Sequence, residues 1–288
     1  MGYRMDEILS LAQVAVIIPC YRCASTVERA VASVAAQSLK PAQVILVDDC
    51  SEDGTLQVLV TIQEKYSPGW IHVVSLEKNQ GAASARNAGW DVATQPYVAF
   101  LDADDAWHPL KIEIQLEWML KHPGAALTGH ACQIVMMSEK NDSEDNSVDV
   151  TAFLGVDFKK VESRALLTSN PFPTRSVMLR RDLPHRFFAG KRYSEDYLLW
   201  CEILLDGYAC YLSPLPLAFM FKADYGEAGL SGNLWAMEKG ELDTYRKLFC
   251  DGRIGRLLFS ALFFWSIAKY VRRCINVRSL RFSRGLSA

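Results

Sequence analysis

Two carboxylates one residue apart, Asp102 and Asp104, follow an apolar run in the segment FLDADDAW. This spacing can direct one side chain toward a ligand hydroxyl and the other toward a divalent cation. Carboxylate oxygens are hard ligands that suit Mg²⁺ or Mn²⁺, and either ion can hold a diphosphate. Acidic residues at a strand end also occur in ordinary turns and helix caps, and Asp105 could simply begin the next helix. The motif alone leaves these interpretations open.

Alternating apolar segments predict the elements that position these carboxylates. Val14–Pro19 and Val44–Asp49 read as buried strands, with a helix over Ser25–Ser38 between them. The pattern continues with a helix over Gly54–Lys65, a strand over Ile71–Leu76, a helix over Ala82–Ala93 and a strand over Tyr97–Leu101. Such alternation predicts a parallel, doubly wound sheet, in which ligands bind beyond the carboxyl ends of the strands. Both acidic clusters, 48–49 and 102–105, fall at those ends.

The second half is less regular. It is predicted to contain helices at Pro109–His122 and Ser194–Asp206, strands at Ala125–Met137, Arg175–Arg180 and Ala209–Leu212, and a polar loop at 138–149.

The C-terminal part, Trp235–Tyr270, reads as helical, and its segment Leu257–Val271 is dense in Leu, Phe and Trp. A membrane span needs about 20 apolar residues, so this segment is too short to cross comfortably. Arginines follow it, and an interfacial helix with a basic tail at 257–284 fits better. The alternative is a helix whose aromatic residues pack on the domain.

The formal net charge of −2 provides no basic face for nucleic acid, which we exclude as a partner. Eight scattered cysteines are typical of thiols in a reducing compartment, and the N-terminal residues do not read as a secretory signal. We therefore expect a cytoplasmic protein. Cys20 and Cys23 have the spacing of half a zinc site, but no second pair follows, which favours core thiols.

Five segments occur in a fixed order: VIIPCYR, VDDCSEDGT, NQGAASARNAGW, FLDADDAW and SEDYLLW. Together they resemble the family 2 glycosyltransferases over about residues 13–222. The resemblance implies a Rossmann-like GT-A fold of the α/β class, with a mostly parallel central sheet flanked by helices and a C-terminal helical appendage. It implies a catalytic domain over 1–225, with a donor half at about 13–106 and an acceptor half at about 107–225. A lid loop and C-terminal amphipathic helices with a basic tail follow over 226–288.

The resemblance also implies a nucleotide site. Its residues are Pro19, Tyr21, Arg22, Asp49, Arg86, Asp102 and Ala103. A carboxylate can accept from a ring N–H, and an aromatic side chain offers the base a flat face. One alternative is that Asp49 and Ser51 form a turn or cap the following helix, a role that Asp48 could equally fill. Another is that Arg86 makes a surface salt bridge with Asp91 or Glu77.

By the same resemblance Asp104 binds Mn²⁺ or Mg²⁺, with Asp105 as a helper. Relatives often supply a histidine from a late loop, but none of the five histidines lies in the matching stretch 222–233. This glycine-containing stretch could fold over the ligands as a lid.

For catalysis, the resemblance makes Asp196 the general base, beside Glu195. Inversion requires a carboxylate to take the acceptor proton as that oxygen attacks the anomeric carbon. The alternative is that both are first-turn acids of a helix capped by Ser194. Arg175 and Ser176 are candidate acceptor contacts.

The expected activity is transfer of one sugar, from a donor that is usually a UDP-sugar, to a glycan or polyprenyl-diphosphate-linked acceptor in surface polysaccharide synthesis. A processive synthase would need several spanning helices and a Gln-x-x-Arg-Trp motif, which this chain lacks. A nucleotidyltransferase is an alternative, but it would place a basic glycine-rich loop where PCYRCAST stands. A non-catalytic scaffold is another, but it would lose Asp104 or Asp196.

Overall fold

The computed structural model describes residues 11–135, 157–221 and 233–283, with side chains up to residue 275. The strands are β1 (Ala12–Cys20), β2 (Pro41–Asp48), β3 (Ile71–Ser75), β4 (Tyr97–Phe100), β5 (Ala106–Trp107), β6 (Ala125–Ile134), β7 (Lys159–Lys160), β8 (Met178–Arg180) and β9 (Ala209–Met220). The helices are α1 (Val27–Ala35), α2 (Thr55–Lys65), α3 (Ala82–Val92), α4 (Lys111–Lys121), α5 (Ser163–Thr168), α6 (Glu195–Leu205), α7 (Leu234–Cys250) and α8 (Arg256–Ser283). The predicted loop 138–149, nearly all of the predicted lid 222–233 and the end of the basic tail lie outside the described residues.

The first four strands form the parallel half of the sheet, in the order β3-β2-β1-β4. Helices α1, α2 and α3 connect them, so the predicted strand and helix alternation is confirmed. Cys20 pairs with Asp48, and Asp48 pairs with Ser75, at the carboxyl ends of β1, β2 and β3. This register brings the loops that follow these strands to one edge of the sheet.

The second half continues the sheet in the order β8-β6-β9-β5, with β7 also on β9. Strand β8 is antiparallel to β4 and β6, whereas β9 is parallel to β6. The strand expected over Arg175–Arg180 begins only at Met178, because Thr174–Ser176 forms a 3₁₀ turn. The strand expected to end at Leu212 runs on to Met220. Strand β7 and helix α5 were not predicted.

The core lies on both faces of the parallel strands. Helix α3 packs closely because Gly89 has no side chain: a Cβ there would lie 2.5 Å from Ile17 and 3.1 Å from Val47. Cys20 and Cys23 are buried in the opposite cluster, as expected of core thiols. The close packing of α3 on the sheet therefore depends on the glycine at position 89.

Side chains from α6 and α8 contact the carboxyl end of α5. Tyr197 of α6 donates to the Leu167 carbonyl at 2.9 Å. From α8, Trp265 and Lys269 donate to the Thr168 carbonyl at 3.1 and 3.0 Å. The last carbonyls of a helix have no intrahelical partner, and here side chains from later helices satisfy them.

Helix α8 has two different faces. Leu262 and Ser266 are buried against the domain, whereas Leu257 is 88% and Phe264 is 72% exposed. The buried face agrees with the alternative in which the helix packs on the domain. The interfacial role of the exposed face stays a prediction. Among the described residues, no helix is long and apolar enough to cross a membrane.

Candidate active site

Loops at the carboxyl ends of β1 and β2 have unusual backbone conformations. The backbone φ angles of Arg22 and Cys50 are 50° and 57°. Residues other than glycine rarely adopt this left-handed region. Tyr21 is 45% exposed, and the Arg22 guanidinium lies 5.2 Å from the centre of its ring. Pro19 is half-buried at the end of β1. These loops thus present an aromatic and a cationic side chain above the sheet edge.

Asp48 and Asp49 have separate roles. Asp48 accepts from the Ser51 N–H at 3.2 Å, which is the predicted turn. Asp49 does not bond Ser51 and accepts instead from the N–H groups of Gln80 and Gly81, at 2.8 and 2.7 Å. Asp49 therefore ties the loop after β2 to the start of α3.

Arg86 of α3 lies at the centre of the site and is 5% exposed. One guanidinium nitrogen bonds Asp102 at 2.8 Å and another bonds Glu195 at 2.9 Å. The predicted alternative of a surface salt bridge with Asp91 or Glu77 is therefore wrong. A single buried cation joins a carboxylate after β4 to one at the start of α6.

Arg86 and the carboxylates around it shift one another's pKa values. Burial, and then the Asp196 charge, raise the pKa of Glu195, while Arg86 lowers it. Burial lowers the pKa of Arg86, but the charges of Asp102 and Glu195 outweigh this and hold it above its ordinary value. The guanidinium stays charged and can stabilise negative charge placed near it.

Asp196 follows at the start of α6. Its Oδ1 accepts from the Tyr197 N–H at 2.7 Å, and its Oδ2 accepts from the Thr174 hydroxyl at 3.0 Å. Ser194 precedes the helix with φ of 57° and makes no side-chain cap bond, so the expected Ser194 cap is wrong. Asp196 is half-buried, which leaves part of its carboxylate accessible.

The loop after β4 presents the predicted metal carboxylate. Ala103 is buried, Asp102 and Asp104 are half-buried, and Arg29 donates to the Asp104 carbonyl at 2.6 Å. Within the described ranges, no three His, Cys, Asp or Glu residues come together as a closed metal cage. Mg²⁺ usually takes only one or two carboxylates and completes its shell with water and substrate phosphates. Asp104, a half-buried carboxylate at this edge of the sheet, fits that mode of binding as a single protein ligand.

The two predicted acceptor contacts, Arg175 and Ser176, lie in different surroundings. Arg175 forms an ion pair with Asp105 at 2.9 Å. The alternative that Asp105 begins a helix is wrong, because the next helix, α4, starts only at Lys111. Ser176 is fully buried, and its hydroxyl donates to the Pro173 carbonyl at 2.8 Å. The prediction that Ser176 contacts an acceptor is corrected, because the turn encloses its hydroxyl.

An open groove of about 620 Å³ lies beside Arg175. Its walls are mostly apolar and include Ile134, Pro216 and Met220. Cavities of this size accommodate small organic ligands.

Two contacts of the site have no local signal in the sequence. Arg29, on α1, supports the Asp104 backbone, and Thr174 bonds Asp196. Both join residues that are far apart in the chain, and side-chain pairing over such distances cannot be deduced from spacing.

Comparisons with known proteins agree on one family. The family described as Glycosyl transferase family 2 matches residues 15–187. The chain is 32% identical over 270 residues to a putative teichuronic acid biosynthesis glycosyltransferase, TuaG, of Bacillus subtilis, covering 92% of this chain and 97% of the relative. It is 30% identical over 203 residues to the Escherichia coli UDP-Glc:alpha-D-GlcNAc-diphosphoundecaprenol beta-1,3-glucosyltransferase WfgD, covering 70% of this chain and 72% of WfgD.

Solved structures share the fold. The Staphylococcus aureus protein TarS in complex with UDP-GlcNAc matches with a TM-score of 0.62 and 18% identity, covering 96% of this chain and 76% of TarS. The mannosyltransferase PcManGT of Pyrobaculum calidifontis, in complex with GDP-Man and Mn²⁺, matches with a TM-score of 0.64 and 17% identity, covering 95% and 81%. The predicted GT-A architecture is confirmed.

Proposed function

The chain belongs to glycosyltransferase family 2, and from this premise we propose that it transfers one sugar, with inversion, from a UDP-sugar to a hydroxyl of a glycan or lipid-linked acceptor. The observation that carries the proposal is the buried Arg86, which bonds Asp102 on one side and Glu195 on the other. Residues that would hold a donor thereby lie next to Asp196, a carboxylate that can accept the acceptor proton. We place the donor half at 13–106 and the acceptor half at 107–225.

The nucleotide is proposed to lie above the carboxyl ends of β1 and β2. The exposed ring of Tyr21 offers a face to the base, and Arg22 beside it offers charge. Asp49 accepts from two backbone N–H groups, and each of its carboxylate oxygens can accept a second hydrogen bond, which a base N–H would supply. Asp102 and Ala103 are assigned to the ribose and diphosphate side.

In the proposed reaction Asp196 removes the proton of the acceptor hydroxyl while its oxygen attacks the anomeric carbon opposite the nucleoside diphosphate. Glu195 and Asp102 hold Arg86 in place, and its fixed charge stabilises the departing diphosphate. A Mg²⁺ or Mn²⁺ ion, when bound at Asp104, would supply further positive charge for the diphosphate.

The acceptor side is proposed to include Arg175 and the apolar groove beside it. The name of WfgD specifies a diphosphoundecaprenol-linked acceptor. The names of TuaG and of ExoO of Rhizobium meliloti specify the biosynthesis of teichuronic acid and of succinoglycan. We propose an acceptor of this class, in surface polysaccharide synthesis.

Such an acceptor would be presented at a membrane, and α8 provides a surface for one. Leu257, Phe264 and Trp265 are exposed on this helix, and Arg272 and Arg273 follow on its later turns. An apolar face bordered by arginines is typical of helices that lie in the membrane interface. All eight cysteines are free thiols, which suits the cytoplasmic side.

A transfer assay tests the proposal. The full chain is incubated with Mn²⁺, a GlcNAc-diphospholipid, and in turn UDP-glucose, UDP-GlcNAc, GDP-mannose or TDP-glucose. We expect a disaccharide lipid from one UDP-sugar, with inverted anomeric configuration by NMR. Asp196→Asn should abolish the product, whereas Asp91→Asn, which alters an exposed carboxylate, should not. Retention of configuration, or full activity of Asp196→Asn, would contradict the mechanism. If none of the four sugar nucleotides gave a product, the proposed sugar transfer would be contradicted.

A further inference from the structure

We propose that Thr174 is a positioning residue for this reaction, whose hydroxyl holds the Asp196 carboxylate in the orientation that receives the acceptor proton. The inference rests on the proposed role of Asp196 as base. The two side chains are 3.0 Å apart, between the Thr174 hydroxyl and Oδ2. An ionised carboxylate can only accept, so the threonine hydroxyl is the donor.

The carboxylate is held at both oxygens. Oδ1 accepts from the N–H of Tyr197, on its own helix, at 2.7 Å. With Thr174 on Oδ2, the carboxylate cannot rotate without breaking one of the two bonds. Asn170 contributes little, because its amide lies 3.5 Å from Oδ2, at the limit for a hydrogen bond. Each oxygen keeps capacity to accept another hydrogen bond, which an acceptor hydroxyl can use.

The turn that carries Thr174 is fastened independently of its hydroxyl. Trp200, one helical turn after Asp196 on α6, donates to the Phe172 carbonyl at 3.0 Å. Ser176 donates to the Pro173 carbonyl through both its hydroxyl and its N–H, each at 2.8 Å. Loss of the Thr174 hydroxyl therefore leaves the turn in place, and its effect should concern the orientation of Asp196.

The size of the effect follows from the bond. A hydrogen bond to a charged group contributes about 1.5–3 kcal/mol, which corresponds to a rate change of about tenfold to a hundredfold if it is needed in the transition state. Ground-state binding of donor and acceptor does not require it.

The experiment measures kcat and both KM values with the donor and acceptor pair identified above. The variants are Thr174→Val, which keeps the shape and removes the donor, and Thr174→Ser, which restores it. Thr61→Val is the matched control, because Thr61 is an exposed threonine on α2 that bonds the Gln57 carbonyl. We expect Thr174→Val to lower kcat about tenfold to a hundredfold with both KM values unchanged. Thr174→Ser should recover most of the rate, and Thr61→Val should match the wild type.

Melting temperatures verify folding, and Thr174→Ala replaces Thr174→Val if valine does not fit the turn. A wild-type kcat in the folded variant, or a Thr174→Ser variant as slow as Thr174→Val, would overturn the inference. Asp196→Asn separates the two proposals: if it stays active, the base assignment fails. If it is inactive while Thr174→Val has wild-type kcat, only the role of Thr174 fails. An inactive wild type with every pair would overturn both.

Discussion

Arg86 and Glu195, which are 109 residues apart in the chain, form a buried ion pair with 2.9 Å between guanidinium nitrogen and carboxylate oxygen. The same guanidinium bonds Asp102. One cation therefore balances a carboxylate from the loop after β4 and a carboxylate at the start of α6.

Replacement of Arg86 should destabilise the fold. Arg86→Met leaves two carboxylates facing each other without their shared cation, and loss of one partner of a buried pair typically costs about 3–5 kcal/mol. Urea unfolding measures the free energy of unfolding. The control is Lys65→Met, which removes an exposed ion pair with Glu28 and should change the free energy of unfolding little. Equal losses in the two variants would contradict the central role of Arg86.

Removal of the Asp104 carboxylate should abolish metal-dependent nucleotide binding. Isothermal titration with UDP, GDP and TDP, with and without Mn²⁺, should show binding of one nucleotide that Mn²⁺ strengthens. In Asp104→Ala this strengthening should fall by more than about tenfold, the smallest loss usual even for residues that only support a metal ligand. Asp182→Ala, an exposed carboxylate on the loop after β8, should bind as the wild type does. Unchanged Mn²⁺ dependence in Asp104→Ala would exclude it as the metal ligand.

Asp206 should make stability depend on pH in the acid range. A hydrogen bond from Arg253, opposed by burial and supplemented by His185, lowers the pKa of Asp206 from 3.8 to about 2. Because the folded-state pKa is the lower one, this stability is present above pH 3.8 and is lost as the pH falls toward 2. The Asp206→Asn variant should therefore unfold at a lower urea concentration than the wild type at pH 7. Its free energy of unfolding should also fall less steeply than that of the wild type between pH 4 and 2. A decline as steep as that of the wild type would contradict this assignment.

Helix α3 should not tolerate a methyl group at its contact with the sheet. Gly89→Ala places a Cβ 2.5 Å from Ile17, and such overpacking usually costs about 1–3 kcal/mol. Gly124→Ala is the matched control, since no atom lies within 4 Å of its added Cβ. Denaturant midpoints compare the two variants. A midpoint for Gly89→Ala at or above that of Gly124→Ala would mean that α3 can move away from β1.

The exposed face of α8 should bind anionic vesicles. The double variant Leu257→Glu and Phe264→Glu removes two apolar side chains worth about 1.5–3 kcal/mol each when buried. We expect its cosedimentation with phosphatidylglycerol vesicles to fall more than about tenfold. Leu56→Glu with Leu120→Glu, two exposed leucines on other helices, is the control and should sediment like the wild type. Equal sedimentation of both double variants would show that α8 is not the contact surface.

The parallel half of the fold could be predicted because its strands are continuous β-branched runs separated by periodic helices. Strand β9 was predicted too short because Pro214 and Pro216 interrupt it, and proline normally ends a strand. In the structure its pairing shifts register there, where His130 faces Ser213 and Ala131 faces Pro216. An irregular strand can thus accommodate prolines that a regular ladder would reject.

The site was predictable in its residue types but less so in its pairings. The acidic pairs stand out because they end strands or begin a helix. The partner of Arg86 could not be read from spacing, because Glu195 is 109 residues away in the chain and meets Arg86 only in the folded structure. Ser176 was misassigned because a hydroxyl in a loop reads the same whether it faces solvent or closes a turn.

The carboxyl end of α5 determines where a shortened form of this protein can stop. The family match ends at residue 187, before α6, α7 and α8 begin. A fragment cut there would leave the Leu167 and Thr168 carbonyls without the donors that Tyr197, Trp265 and Lys269 provide. The smallest fragment expected to express as a stable protein therefore extends beyond Lys269, well past the region by which the family is recognised.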